Sequence, residues 1–173
     1  MRADRARWGA LEGGPVDDVW KLLHVLTGFS FVAGLVGRNV SIAQARSEEA
    51  IGRVEALMTA AGRFERLMVI PGSAAVLVFG IVTMLAQGWS FLGEGNRWLP
   101  TSVVLFVATA ALVPIVFLPR GRVFEQAFAH AKREGEVTPA LTEAFADPAV
   151  AWARRAEAAA VAVVIALMVL KPF

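Results

Sequence analysis

Between Lys21 and Arg38 the chain carries no formal charge, and that run decides the solvent in which the rest must fold. Within Val19–Arg38, VWKLLHVLTGFSFVAGLVGR, only His24, Thr27 and Ser30 are polar once Lys21 is passed. A helix needs about 20 apolar residues to cross a hydrocarbon layer of about 30 Å, and this run has that length. Wound at about 3.6 residues per turn, it divides into two flanks. Leu22, Val25, Leu26, Phe29, Val32 and Val36 form a bulky one; His24, Thr27, Ser30, Gly34 and Gly37 form a small or polar one. In lipid the bulky flank meets acyl chains and the small flank admits a neighbouring backbone, so the spacing predicts a span whose histidine points into protein.

Similar blocks recur. At 173 residues one domain is the expectation, and 57% hydrophobic residues with a mean hydropathy of +0.58 exceed what soluble domains carry. The reading is an all-α integral membrane four-helix bundle over 19–171, with spans near 19–37, 67–89, 100–118 and 148–170, preceded by a polar tail over 1–18. Pro71 is expected in the first turns of the second span, where a missing N–H does least damage, and Pro114 is expected to kink the third and free the carbonyl of Ala110. Thr138-Pro139 and Asp147-Pro148 read as helix starts, a capping side chain followed by proline. Ala158, Ala162 and Ala166 make a small-residue ladder in the fourth span.

The two long connections are amphipathic. Ile51, Val54, Met58, Ala61 and Phe64 recur at helical spacing, and Glu49 stands four residues before Arg53. That segment reads either as a helix lying on the membrane surface or as an extension of the flanking spans.

With no cysteine, disulfides, thiolate metal sites and cysteine nucleophiles are excluded. The pI near 9.7 does not point to nucleic acid, because the arginines cluster beside the spans, where orientation and anionic lipid account for them. Arg38, Arg46, Arg53, Arg63, Arg66, Arg120, Arg122, Lys132, Arg133, Arg154 and Arg155 fall on one side of the membrane. Arg2, Arg5, Arg7, Lys21, Arg97 and Lys171 fall on the other. The heavier side is cytoplasmic by the positive-inside rule, which puts both termini outside and makes Trp20, Trp89 and Trp98 outer-interface anchors.

His24 is the ionisable group inside a span, and such groups are functional candidates. Its imidazole can ligate haem b or copper, relay a proton, or tie two helices together through Thr83, Gln87 or a backbone carbonyl. His24, Thr27, Thr83 and Gln87 are expected at similar depth as a polar pocket. Arg154 and Glu157 are expected to form an ion pair at the inner boundary, with a coupling carboxylate at Glu157 as the sharper alternative. No phosphate-cradling glycine loop, serine nucleophile with a base, or zinc-spaced cluster is present in the sequence.

WKLLHVLTGFSFVAGLVGR, PGSAAVLVFGIVTM, WLPTSVVLF and LVPIVFLPR together resemble a bacterial four-span family of predicted integral membrane proteins catalogued as a domain of unknown function. The resemblance covers about Trp20 to Leu170. The first-span histidine followed by small residues is also similar to copper-resistance D proteins and haem-associated protoporphyrinogen oxidases. Of their functional residues only His24 has a counterpart here. These observations carry three functional expectations. One is a non-enzymatic accessory or scaffold subunit, partnered by lipid and by its own copies or other membrane subunits. Another is a haem or copper protein using His24. The last is a small dimeric transporter hinged at Pro114, with Glu157 as its carboxylate.

Overall fold

The computed structural model describes residues 15–172 apart from Glu94, with side chains from Asp18 onward. The described residues form helices joined by short turns, with no strand among them. α1 is Pro15–Ala45, α2 is Ile51–Ala86, α3 is Trp98–Glu134, α4 is Pro139–Phe145 and α5 is Pro148–Leu170. The tail over 1–18 lies, through residue 14, outside the described residues.

α1 from Asp18, α2 and α3 are each long and apolar enough to cross a membrane. α5, with 23 residues, is about 35 Å long, but Arg154, Arg155 and Glu157 occupy its first half and leave Ala158–Leu170 as its apolar stretch. The all-α membrane expectation therefore holds, with three long apolar helices and a fourth. The 39–66 connection resolves in favour of extension: α2 begins at Ile51 and continues unbroken through the apolar stretch. Glu49 consequently precedes the helix, where the spacing of four has no meaning, and Arg53 pairs instead with Glu48 at 3.4 Å.

Each of α2 and α3 meets its interior prolines, Pro71 in the one and Pro114 and Pro119 in the other, with a single π turn. Pro71 does not open a helix; it lies inside the 36 residues of α2, two positions after the π turn Glu65–Val69. A π turn uses i→i−5 bonds, as the N–H of Ile70 does to Glu65 O, and relaxes the crowding that a proline ring imposes on a regular helix. Pro114 lies within a second π turn, Val113–Phe117. The carbonyl of Ala110 is not freed, because the N–H of Val113 takes it.

The chain divides into two compact units. In the first, α1 as far as Ile42 packs against Met58–Ser90. The helices run antiparallel, since Trp20 stacks on Phe79 while Gly37 meets Phe64. Glycines set the approach: a Cβ added at Gly72 would stand 3.1 Å from Phe31 Cα, and one at Gly34 would stand 2.6 Å from Met68 Cβ. Arg38 Nη1 donates to Glu65 Oε2 at 2.8 Å beside the π turn.

The second unit comprises Ala43–Leu57 and the chain from Phe91 onward. The first half of α3 packs along α5. Ser102 is fully buried with its hydroxyl turned back to Trp98 O, and Ala153 and Glu157 are buried on α5. Trp98 is buried, and the Lys171 ammonium lies 5.5 Å from its ring centre. α4, capped by Thr138, closes a small aromatic core in which Phe145 meets Phe124 edge-on at 4.9 Å. Lys132 on α3 forms an ion pair with Glu55 on α2. The alanine ladder does not face α3: Ala158, Ala162 and Ala166 are exposed.

Candidate functional site

The site is built where α1 meets α2 in the first unit. Trp20 stacks over Phe79 with ring centres 6.3 Å apart, and His24 lies one turn deeper along α1. Its Nδ1 is 3.0 Å from Val76 O. A carbonyl only accepts, so this contact places the proton on Nδ1 and leaves the lone pair on Nε2. The imidazole reaches that carbonyl because Gly80, one turn along α2, has no side chain. A Cβ there would stand 3.0 Å from His24 Cε1, 3.3 Å from Nδ1 and 3.9 Å from Nε2.

The other pocket residues behave differently from one another. Thr27 donates back into its own helix, to Leu23 O at 2.8 Å and His24 O at 3.0 Å, and contributes no hydroxyl proton to the space between helices. Thr83 is 6% exposed and its Oγ1 has no hydrogen-bond partner. One turn further, Gln87 has a buried Nε2 that also lacks a partner. Thr83 and Gln87 share the flank of α2 that Gly72 and Gly80 turn toward α1, while His24 is bonded to Val76 rather than to either of them.

Arg154 and Glu157 lie one turn apart on α5 in the second unit, Arg154 half-buried and Glu157 buried. His130 belongs to that unit too and stands, exposed, 3.8 Å from Glu134. Of the partners expected for His24, the backbone carbonyl is the one found, but the sequence could not say which carbonyl, since a carbonyl leaves no mark there. Gly80 was the available signal, a residue whose absent side chain opens a slot one turn from that carbonyl.

For a metal or haem, this chain offers Nε2 of His24. Its Nδ1 proton is held by a carbonyl, the usual arrangement behind a metal-bound histidine, and Nε2 is the atom that would hold such a group. No group of three or more His, Cys, Asp or Glu gathers for a metal ion among the described residues, so other ligands would have to come from elsewhere.

Helices throughout the described residues other than short turns, three of them long and apolar enough to cross a membrane, and glycine-lined helix contacts define the class as helical integral membrane proteins. The chain belongs to the family of predicted integral membrane proteins DUF2269, whose model matches residues 18–172. No curated protein and no solved structure matches it.

Proposed function

We propose that the protein is a non-enzymatic accessory or scaffold subunit of a larger assembly in a bacterial inner membrane, multi-pass with both termini outside, joined to copies of itself or to other membrane subunits. The exposed flank of Ala158, Ala162 and Ala166 carries this reading. Elsewhere small residues on one helix receive another helix, as Gly34 and Gly72 do; here the same kind of flank stands open. Extraction in mild detergent, followed by native mass measurement and identification of bound proteins, tests it. A stoichiometric complex that Ala162→Ile dissociates is expected. A monomer with no companion and a turnover of its own overturns the reading.

The bond between His24 Nδ1 and Val76 O favours a second reading, a haem b or copper protein, which the first-span likeness to copper-resistance D proteins and protoporphyrinogen oxidases also supports. The absorbance of purified protein decides. A Soret band or bound copper that disappears in His24→Ala supports it, and absorbance and copper content unchanged by that substitution remove it.

A further inference from the structure

The serine and threonine hydroxyls within these helices mostly bond back to a carbonyl one turn earlier: Thr27 to Leu23, Ser41 to Gly37, Ser102 to Trp98 and Thr109 to Leu105. That bond is always within reach of a helical hydroxyl and satisfies it without help from anything else. Thr83 does not make it, although it is 6% exposed and has no other partner. The next group along the same flank, Gln87 Nε2, is likewise buried and unpaired. Two neighbouring buried donors without a protein acceptor call for something else to satisfy them, because buried polar groups are satisfied as a rule.

What would satisfy them is constrained by the third group. Both Thr83 Oγ1 and Gln87 Nε2 need an acceptor, whereas His24 Nε2 bears a lone pair and needs a donor. A carbonyl oxygen serves the first two alone, and an ammonium serves the third alone. A hydroxyl-type oxygen serves all three. The spacing also suits it. Gln87 lies about 6 Å along the axis from Thr83, and one water making two hydrogen bonds of about 2.8 Å spans about that distance. Gly80, one turn before Thr83 and beside the imidazole, contributes no side chain to block the row.

We infer that Gln87, Thr83 and His24 Nε2 line a hydrated cleft between α1 and α2, in which a short file of waters, one of them replaceable by the hydroxyl of an apolar ligand, bridges the three. The cleft gives the intramembrane imidazole a hydrogen-bonded route to the end of α2. This goes beyond a scaffold role, because it assigns the helix pair a polar ligand of its own.

The natural chain has no cysteine, so single cysteines report without background. Thr83→Cys and Gln87→Cys are to be compared with Leu85→Cys, a lipid-facing site at 67% exposure, in full-length protein held in nanodiscs and treated with a charged, water-soluble maleimide. Thiols ionise and react only where water reaches them. Thr83→Cys should label at least tenfold faster than Leu85→Cys, despite being far more buried. Labelling at or below the Leu85→Cys rate overturns the inference. If Thr83→Cys loses its helical circular dichroism, Gln87→Cys carries the same comparison. Water-edited NMR on the unsubstituted, threonine-labelled chain then supplies the second measurement, and a Thr83 signal that receives no polarisation from water also overturns it. Repeating the labelling with a short-chain hydroquinone separates the sources: slowed labelling identifies a hydroxyl-bearing ligand, and unchanged fast labelling identifies water.

Discussion

Replacing Gly34 with alanine should push α1 and α2 apart. The new Cβ would stand 2.6 Å from Met68 Cβ, 3.1 Å from Val69 Cγ2 and 3.2 Å from Val69 N. Carbon atoms in contact sit about 3.5–4.0 Å apart, so the helices must separate by roughly 1 Å at this turn. Met68 cannot move aside, because a Cβ is fixed to its backbone. Overfilling a packed contact costs about 1–3 kcal/mol. Against this, alanine gains about 0.5–1 kcal/mol over glycine in a helix interior. Gly28, on the same helix with nothing within 4 Å of a Cβ, collects that gain without the clash. The difference between Gly34→Ala and Gly28→Ala therefore isolates the packing, at about 1–3 kcal/mol. Gly37→Ala should fall between them, since it meets the edge of the Phe64 ring, which can turn. Unfolding in mixed micelles of rising denaturing-detergent fraction, followed by helical circular dichroism, measures all three. Equal stability of Gly34→Ala and Gly28→Ala would refute the close contact.

Asp147 caps α5 through Ala149 N–H at 2.8 Å and Val150 N–H at 3.3 Å and receives Arg120 Nη1 at 2.6 Å. Desolvation pushes its carboxyl up, but the Arg120 hydrogen bond and the two backbone N–H groups together outweigh that and hold it below the usual carboxylate range. Its contribution is thus present above the unfolded pKa, about 4, and is lost as pH falls through the lower folded value. Asp147→Asn should flatten that acid-side loss in the same unfolding assay, and Asp147→Ala should cost about 1 kcal/mol at neutral pH. Two ion pairs should differ by burial. A double-mutant cycle on Arg38 and Glu65, with side chains 12% and 35% exposed, should give a coupling of about 1 kcal/mol or more. The same cycle on Lys132 and Glu55, 43% and 46% exposed, should give about 0.2–1 kcal/mol and vanish in high salt.

Hydropathy picked out the apolar stretches of the three long helices but not the helix ends, because it reports side-chain polarity rather than where backbone bonds stop. α2 therefore begins sixteen residues before the polar-to-apolar change expected at Leu67, and α3 runs on to Glu134 well past Leu118. Local chemistry was more legible. Thr138 and Asp147 cap the helices they precede, since capping involves only a side chain and the next three residues. The glycine flank of α1 was readable for the same reason, as a property of one helix. What it packs against was not, and neither was the role of the alanine ladder, which depends on its neighbours rather than on its own period. At the candidate site, His24 and the small flank could be seen in the sequence, but the Val76 carbonyl and the unpaired Thr83 hydroxyl appear only once the two helices are placed.

The π turn at Glu65–Val69 does more than accommodate Pro71. Ala61 is buried, as are Val69, Gly72 and Thr83 further along the helix. In a uniform α-helix Val69, eight residues after Ala61, would lie about 80° around the axis from it and leave the contact face. A turn closed by i→i−5 bonds holds one residue more, which winds the following segment back by roughly 100° and returns Val69 to within about 20° of Ala61. By the same count Gly80 returns to about the bearing of Ala61 instead of lying about 100° away, so the extra residue keeps the slot that receives His24 on the flank that meets α1. Deleting Leu67, which is 73% exposed, while changing Pro71 to alanine should convert the turn to regular helix and preserve every downstream contact. The unfolding midpoint should then shift by no more than about 1 kcal/mol. Deleting Leu77 in the same Pro71→Ala background removes a residue where there is none to spare, rotates Gly80 and Thr83 away from His24 and should cost several times as much. Equal losses from the two deletions would show that the π turn serves the proline alone.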